Sequence, residues 1–222
     1  MKIALLGGTG DIGQGLALRW AYDTDYEIVI GSRERERAKV KAEEYETELD
    51  SRGVDRTIEG TANPEAAEGA DLVVLAVPAY YVDDTIVAVE EHLADDAVLV
   101  SPAVGMKRQD GGFSYNPPGV GSVTELADEV APDDVSVVGA FHNLPAERLA
   151  NLDAEMGIDT LVVGDDPDAK DNVARVGDAI EGLNVLDAGP LGNAAEVESL
   201  TPLLIDVAMH NEGMHDLGVT FH

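Results

Sequence analysis

The sequence contains no cysteine, which excludes disulfides, thiolate nucleophiles and cysteine-ligated metal centres. It also lacks any apolar run near the ~20 residues that a membrane-spanning helix requires. The apolar run at the N-terminus stops at Gly7 and is too short for the hydrophobic core of a signal peptide. We therefore expect a soluble, cytoplasmic protein.

Basic residues are scarce. The 222 residues include 14 lysines and arginines against 44 aspartates and glutamates, for a formal net charge of −30. Such a surface repels nucleic acids and anionic membranes, so we expect neither as a partner. The acidic residues are spread along the chain, a pattern typical of proteins that work in concentrated salt. At 1 M salt the repulsion between these charges is screened beyond ~3 Å. This acidic surface predicts a halophilic habitat.

The N-terminal segment 2–15 combines a short apolar run, a glycine-rich turn and the start of an amphipathic segment. Gly8, Gly10 and Gly13 fit the G-x-G-x-x-G spacing of a dinucleotide fold. In this interpretation Gly8 allows the sharp turn, Gly10 lets a pyrophosphate approach the backbone, and Gly13 lets helix pack on strand. The predicted helix, residues 12–22, would direct its free N–H groups and dipole at the phosphates.

A glycine-rich turn alone is weak evidence, because many such turns bind nothing. The context strengthens the signal, since a second apolar run, residues 26–30, follows at the distance a β-α-β unit requires. NAD-selective sites usually carry an acidic residue at the end of this second strand. Here the sequence is Gly31-Ser32-Arg33, which favours binding of a 2′-phosphate and therefore NADP.

A cluster of basic residues follows that strand in an otherwise acidic chain. We assign Ser32, Arg33 and Arg37 to the 2′-phosphate, with the two arginines expected one helical turn apart at the mouth of the site. The other basic residues of the cluster favour a different interpretation, a solvated helix face that pairs with glutamates. These residues are Arg35, Lys39 and Lys41.

Strands and helices are predicted to alternate along the chain, which indicates a Rossmann-like, doubly wound parallel α/β sheet. The apolar runs at 71–77, 97–100 and 135–141 are typical of strands buried on both faces. A further β-α-β pattern and a long apolar helix, residues 196–211 with a kink or break at Pro202, complete the chain. We expect an NADP-binding domain over residues 1–146 and a smaller α/β domain over residues 147–222 that closes the cleft.

Ligands of parallel sheets lie beyond the carboxyl ends of the strands, so Val77 and Tyr81 should border the cofactor groove, with Val104 at the same level. An ordinary packing role is an equally good interpretation of Tyr81. His142 follows a predicted strand and is a candidate for acid–base work, although a histidine bonded to backbone is the more common case.

The Gly/Pro-rich segment 105–121 is long enough to predict a functional flap.

Five sequence segments together resemble the archaeal, haloarchaeal-type coenzyme F420:NADP oxidoreductases. They are residues 4–10, 31–33, 143–146, 187–191 and 198–204. The resemblance implies a hydride passed between C5 of an 8-hydroxy-5-deazaflavin, coenzyme F420, and C4 of the nicotinamide of NADP. Because the cofactors carry the reactivity, no nucleophile or metal and no obligatory catalytic residue is required, although His142 matches a family position.

The resemblance also implies roles for individual residues. Gly8, Thr9, Gly10, Asp11 and Ile12 form the turn that holds the pyrophosphate, and Ser32, Arg33 and Arg37 hold the 2′-phosphate. Val77, Tyr81, Val104 and Ala146 surround the nicotinamide, and Leu217 closes the cleft over the deazaflavin. Because the deazaflavin coenzyme is anionic, we expect Lys107, Arg108 or Arg148 to contact its tail.

Two other functions remain open. The chain could be an NADPH-dependent reductase of another acceptor, such as a flavin, a metal chelate or a small imine, or a non-catalytic NADPH sensor. An enzyme is favoured because the C-terminal third adds a wall for a second ligand.

The apolar C-terminal helix, with Leu200, Leu203, Leu204 and Val207 on one face, predicts packing on the sheet domain or on a second subunit, hence a homodimer.

Overall fold

The computed structural model describes residues 1–222. Its ten strands are β1 (Lys2–Leu6), β2 (Glu27–Ser32), β3 (Ile58–Ala62), β4 (Leu72–Leu75), β5 (Val98–Ser101), β6 (Met106–Gln109), β7 (Gly112–Tyr115), β8 (Ser136–Ala140), β9 (Ile158–Val163) and β10 (Leu183–Asp187). Its eight α-helices are α1 (Asp11–Asp23), α2 (Arg35–Ser51), α3 (Asn63–Ala67), α4 (Val82–Val89), α5 (Val123–Val130), α6 (Ala146–Ala150), α7 (Pro167–Asp178) and α8 (Ala194–His210). None of the helices is both long and apolar enough to cross a membrane.

Eight strands form one sheet in the order β10-β9-β8-β5-β4-β1-β2-β3. Strand β1 pairs in parallel with β2 and β4, and the chain reverses direction across the sheet there, as in a doubly wound fold. The predicted Rossmann-like α/β fold is confirmed. One feature was not predicted: β9 pairs antiparallel to β8, and β10 pairs in parallel with β9, so the last two strands run against the rest.

Helices cover both faces of the sheet, because its central strands are apolar on both sides. On one face, side chains of α1, α2 and α7 such as Leu16, Tyr45 and Val173 join a cluster of 33 buried residues. On the other, α3, α4 and α5 contribute to a second cluster of 17. Trp20 of α1 packs edge-on against Phe141, with ring centroids 5.8 Å apart, and so ties α1 to the end of β8.

The segment 105–121 was predicted as a flap, but it is largely an antiparallel hairpin of β6 and β7. Gly111 takes a positive φ of 93° and turns the chain between the two short strands. The hairpin is fixed to α8, since the Phe113 N–H donates to Asp206 Oδ1 at 2.7 Å.

Helix α8 is continuous through Pro202, so the chain does not break into two shorter helices there. The apolar side chains of α8 do not all pack on this chain. Leu204 faces the cleft described below, whereas Leu203 and Val207 are 57% and 37% exposed.

Candidate functional site

A cleft of about 1000 Å³ lies beyond the carboxyl ends of the central strands. Its walls come from the glycine turn before α1, the segments after β4, β5 and β8, helix α8 and the C-terminal tail. Of its 28 lining residues, 16 are hydrophobic, so the cleft can hold planar rings away from water. It runs from Gly10 at one end to Leu217 in the tail.

The glycine turn combines two steric requirements. The positive φ, +78°, belongs to Gly7 and not to Gly8, which corrects the role predicted for Gly8. Gly8 instead allows a close approach to β2, since a Cβ there would lie 2.8 Å from the Cβ of Ile30. As predicted, Gly13 allows close packing, because its Cβ would lie 2.6 Å from the Cα of Gly8. A Cβ at Gly10 would lie no closer than 3.5 Å to any other protein atom, so the backbone there is open to a ligand.

Helix α1 begins at this turn with no side chain capping its first turn, so its N–H groups are available to an anion. Asp11 and Ile12 stand at its start and line the cleft, with Thr9 just before them in the turn. The turn is supported from behind, because the buried Tyr45 hydroxyl donates to the Gly8 carbonyl at 3.0 Å. Burial raises the pKa of Tyr45, so the hydroxyl keeps its proton and this hydrogen bond.

The basic cluster divides into paired and unpaired residues. Arg35, Lys39 and Lys41 all pair with glutamates, as predicted. Lys39 pairs with Glu36 at 3.0 Å and Lys41 with Glu44 at 2.5 Å, both within α2, whereas Arg35 pairs with Glu65 of α3 and not along its own helix face. Arg33 and Arg37 are exposed and make no ion pair. Arg33 precedes α2 and does not lie a helical turn from Arg37 on that helix, which begins at Arg35.

Ser32 and Tyr81 flank Arg33. Ser32 is buried at the end of β2, where its Oγ accepts from the Glu34 N–H at 3.2 Å. The Arg33 guanidinium lies 4.8 Å from the centroid of the Tyr81 ring, which in turn packs on Tyr80 at 4.4 Å. Tyr81 does not line the cleft. The geometry therefore associates Tyr81 with the arginine end of the site and not with the nicotinamide end, to which the sequence assigned it.

The other residues expected around the rings do meet. Val77, Val104, Ala146 and Leu217 all line the cleft, although they come from four separate segments. Leu217 is held there by the C-terminal tail, which is attached to the sheet at the start of β9.

Asp159 makes that attachment. Its carboxylate accepts from the Phe221 N–H at 2.6 Å, and its own N–H donates to the Val219 carbonyl at 2.8 Å. The hydrogen bond from Phe221 lowers the pKa of Asp159, so the carboxylate stays charged and keeps the tail in place.

His142 lines the cleft and is 4% exposed. Burial lowers its pKa to about 3, so the ring is neutral at neutral pH. Its Nε2 lies 3.4 Å from Thr124 Oγ1, and its Nδ1 has no hydrogen-bond partner. The preceding residue, Phe141, has a backbone φ of 68°, which residues other than glycine rarely adopt. This conformation turns the chain into the cleft.

Glu198 was given no role by the sequence analysis, yet it is fully buried beside His142. Its carboxylate accepts from the N–H groups of Val123 and Thr124, from Thr124 Oγ1 and from the Tyr115 hydroxyl, all at 2.9–3.1 Å. A charged residue within an apolar helix segment was the available signal. Its partners lie more than 70 residues away in sequence, so no local pattern could identify them.

Helix α6, which begins at Ala146, is held by buried polar contacts. The guanidinium of Arg19 donates to four carbonyls around the end of this helix, those of Arg148, Leu149, Asn151 and Ala154, at 2.7–3.0 Å. Asn143 bonds to the Asp159 carbonyl and accepts from Thr160 Oγ1, both at 2.8 Å. These contacts fix the loop that carries His142 and Ala146.

The basic residues expected at the deazaflavin tail stand beside the cleft but do not line it. Lys107 and Arg108 follow Met106, a cleft residue, and Arg108 packs over the Phe113 ring at 5.9 Å. Arg148 follows Ala146 in α6 and donates to the Met156 carbonyl at 3.3 Å.

A Rossmann-like sheet with an uncapped helix start at a glycine turn, and with a cleft beyond its strands, defines a dinucleotide-binding protein. Residues 2–105 match the family model described as "NADP oxidoreductase coenzyme F420-dependent". The F420-dependent NADP reductase of Methanocaldococcus jannaschii is 39% identical over 92% of this chain and 91% of that protein. That of Methanothermobacter thermautotrophicus is 37% identical over 95% and 90%.

Among solved structures, a candidate F420-dependent NADP-reductase of Arthrobacter sp. FB24 has a TM-score of 0.81 and 26% identity, and the match covers 100% of this chain and 99% of that one. Similarity at this level over nearly the whole chain shows the family. The chain belongs to the F420-dependent NADP reductases.

Proposed function

We propose that this protein transfers a hydride, reversibly, between reduced coenzyme F420 and NADP⁺. A deazaflavin C5 would give the hydride and the nicotinamide C4 would accept it. The observation that carries the proposal is the single cleft that joins the glycine turn to an apolar ring pocket, in a chain of this family. Hydride transfer needs close approach, ring orientation and exclusion of water, and the cofactors supply the reactivity.

The dinucleotide would lie along the glycine turn. Its pyrophosphate would accept from the first N–H groups of α1, near Thr9, Gly10, Asp11 and Ile12, where the helix dipole favours negative charge. Its 2′-phosphate would be bound by Ser32, Arg33 and Arg37. The absence of ion pairs at both arginines supports this assignment, because their donors are free for a ligand.

The rings would lie at the other end, among Val77, Val104, Ala146 and Leu217. These apolar side chains exclude water from the reacting carbons. His142 would contact the rings as a neutral group, because its pKa of about 3 leaves it no proton to give at neutral pH. In this proposal residues 1–146 hold NADP and residues 147–222 close the cleft over the deazaflavin through α8 and the tail.

The decisive experiment mixes reduced coenzyme F420 with NADP⁺ and follows the NADPH absorbance band. We expect the initial rate of absorbance increase to be proportional to enzyme concentration. The rate should be much lower when NAD⁺ replaces NADP⁺. NADPH with a flavin, a ferric chelate or a cyclic imine as acceptor forms the comparison series. Turnover of one of these without turnover of coenzyme F420 would contradict the proposal and favour a reductase of that other acceptor.

The acidic deazaflavin tail needs local positive charge. We propose that at least one of Lys107, Arg108 and Arg148 contacts it, since these residues adjoin Met106 and Ala146 of the cleft. Reversing all three charges should raise the KM for coenzyme F420 and leave the Kd of NADP⁺ unchanged. An unchanged KM would contradict this assignment.

We also propose that the protein is a cytoplasmic homodimer that binds no nucleic acid. The exposed apolar side chains of Leu203 and Val207 on α8, at 57% and 37%, support a subunit contact there. The net charge of −30 argues against nucleic acid. Light scattering on wild type and on a Leu203→Lys, Val207→Lys variant tests the contact, and a monomeric wild type would contradict it.

A further inference from the structure

The buried carboxylate of Glu198 connects three parts of the fold to the cleft. It lies on α8, accepts from two N–H groups at the start of α5, and accepts from Tyr115 of the β6–β7 hairpin. Two of the four contacts are backbone N–H groups, which only donate, and the other two are the hydroxyls of Thr124 and Tyr115. Burial raises the pKa of Glu198, and hydrogen bonds from Thr124, Val123 and Tyr115 act against that shift. A carboxyl proton would lie on Oε2, beside the Tyr115 hydroxyl, because that hydroxyl can donate to the Gly121 carbonyl instead, so Oε1 accepts from Thr124 in either state.

The acceptor oxygen Oε1 of Glu198 determines how the Thr124 hydroxyl is oriented. A hydroxyl has one proton, and Thr124 gives it to Glu198 Oε1 at 2.9 Å. Toward its other neighbour, His142 Nε2 at 3.4 Å, Thr124 Oγ1 can therefore only accept. Nε2 must then carry the ring proton, because two acceptors facing each other would repel.

A neutral imidazole carries one proton, so the ring has none on Nδ1. Nδ1 is buried, and no group of the protein donates to it. The backbone of His142 is fixed as well, since Thr201, one helical turn after Glu198, donates its hydroxyl to the His142 carbonyl at 2.7 Å. Helix α8 thus acts on His142 at two points, directly at its backbone carbonyl through Thr201 and indirectly at its ring through Glu198 and Thr124. Nδ1 remains an unused acceptor in a residue that lines the cleft.

We propose that Glu198 is a positioning residue that, through Thr124, fixes the Nε2-protonated tautomer of His142 and leaves Nδ1 to accept a hydrogen bond from an N–H group of a ring bound in the cleft. This inference rests on the proposed function. Two bound groups carry such a donor: the carboxamide of the nicotinamide and the pyrimidine ring N–H of the deazaflavin. Acceptance at Nδ1 would orient the ring, and a donor that finds no acceptor in a dry cleft would be penalised.

The test is ¹⁵N NMR of protein labelled at the histidine rings, with His142 assigned by comparison with His142→Gln. In the ligand-free protein we expect Nε2 to show the signature of a protonated ring nitrogen and Nδ1 that of an unprotonated one. Thr124→Val, which keeps the shape and removes the hydroxyl, should shift the ring toward a mixture of tautomers. Thr124→Ser, the matched control, should retain the wild-type tautomer. Glu198→Gln should also disturb it, provided that the variant folds.

Ligands are then added one at a time. An Nδ1 shift on adding NADP⁺ alone would support the carboxamide as donor, and a shift on adding oxidised coenzyme F420 alone would support the deazaflavin. The same ligand should show a Kd raised about 2- to 10-fold in Thr124→Val, the loss expected for one neutral hydrogen bond. A proton on Nδ1 in the wild type, or no response to either ligand, would overturn the inference. The tautomer is measured without turnover, so this result is independent of whether the proposed hydride transfer is observed.

Discussion

The two ends of the cleft are built in opposite ways. The cationic end, Ser32, Arg33 and Arg37, comes from one short stretch of chain, and both arginines are exposed. The ring end is assembled from residues that are distant in sequence, and the polar groups beneath it, His142 and Glu198, are buried. In the proposed function, recognition of the 2′-phosphate depends on a local, solvent-accessible feature, whereas the environment of the rings depends on the whole fold.

This difference determines what each end is sensitive to. Exposed charges are screened by salt, and water takes the place of a partner that is lost. Changes at the cationic end should therefore affect binding and little else. Buried polar groups have no water to replace a lost partner, so changes there should affect stability and the geometry of the cleft. Each prediction below tests one side of this contrast, beginning with the largest effect.

The ring end should collapse first when its buried support is removed. Arg19→Met keeps a long apolar side chain but takes the donors away from four carbonyls around the end of α6. We expect a loss of about 2–4 kcal/mol in the free energy of unfolding, measured by urea denaturation. The control is Arg175→Met, an exposed arginine on α7, which should change stability little. Equal losses in the two variants would contradict the role given to Arg19.

The cationic end should respond in binding and not in stability. Arg33→Ala removes a guanidinium that makes no ion pair, so the folded protein loses little. The Kd of NADP⁺ should rise about 10- to 100-fold, the range for a hydrogen bond to a charged group, while the Kd of NAD⁺ stays the same. Calorimetry measures both. Arg35→Ala is the matched control, because Arg35 already pairs with Glu65. Equal affinity of the wild type for NADP⁺ and NAD⁺ would remove the basis of the assignment.

The same contrast explains how much could be predicted from the sequence. The fold was accessible because it rests on local spacing, such as that of Gly10 and Gly13. The assignment of the arginine pair also rests on local spacing, at residues 31–33, and stays a prediction. The hairpin at 106–115 was missed because its strands are short and its turn uses a single glycine. The proximity of Tyr81 to Arg33 was missed because the chain turns after β4 toward Arg33, a contact across about 50 residues that spacing does not reveal.

Glu198 and the direction of β9 share a physical reason for being missed. A buried carboxylate is stabilised by donors from other elements, and strand direction is set by whether the preceding connection crosses back to the opposite end of the sheet. Neither depends on neighbouring residues in the sequence. The antiparallel pairing of β8 and β9 therefore became visible only when Gly139 and Val163 were seen opposite each other.

Salt should separate the two ends without any mutation. Raising the ionic strength from 0.1 to 1 M shortens the screening length from ~10 to ~3 Å. The melting temperature should rise, because the repulsion among 44 acidic residues is screened. The KM for NADP⁺ should rise about 3- to 10-fold, because the arginines at the 2′-phosphate are exposed. A melting temperature that does not increase would contradict the adaptation to salt, and a constant KM would contradict exposure of the phosphate site.

The smallest expected effect concerns Tyr81, and it decides to which end this residue belongs. Its ring lies 4.8 Å from the Arg33 guanidinium, and a cation–π contact at such a partly exposed site contributes about 0.5–1 kcal/mol. Tyr81→Ala should therefore weaken binding of 2′,5′-ADP, a ligand that reaches only the cationic end, by about 2- to 5-fold. Tyr81→Phe keeps the ring and should bind it as the wild type does. If instead Tyr81→Ala lowers kcat at saturating NADP⁺ and leaves 2′,5′-ADP binding unchanged, Tyr81 acts at the nicotinamide, and the division between the two ends must be redrawn.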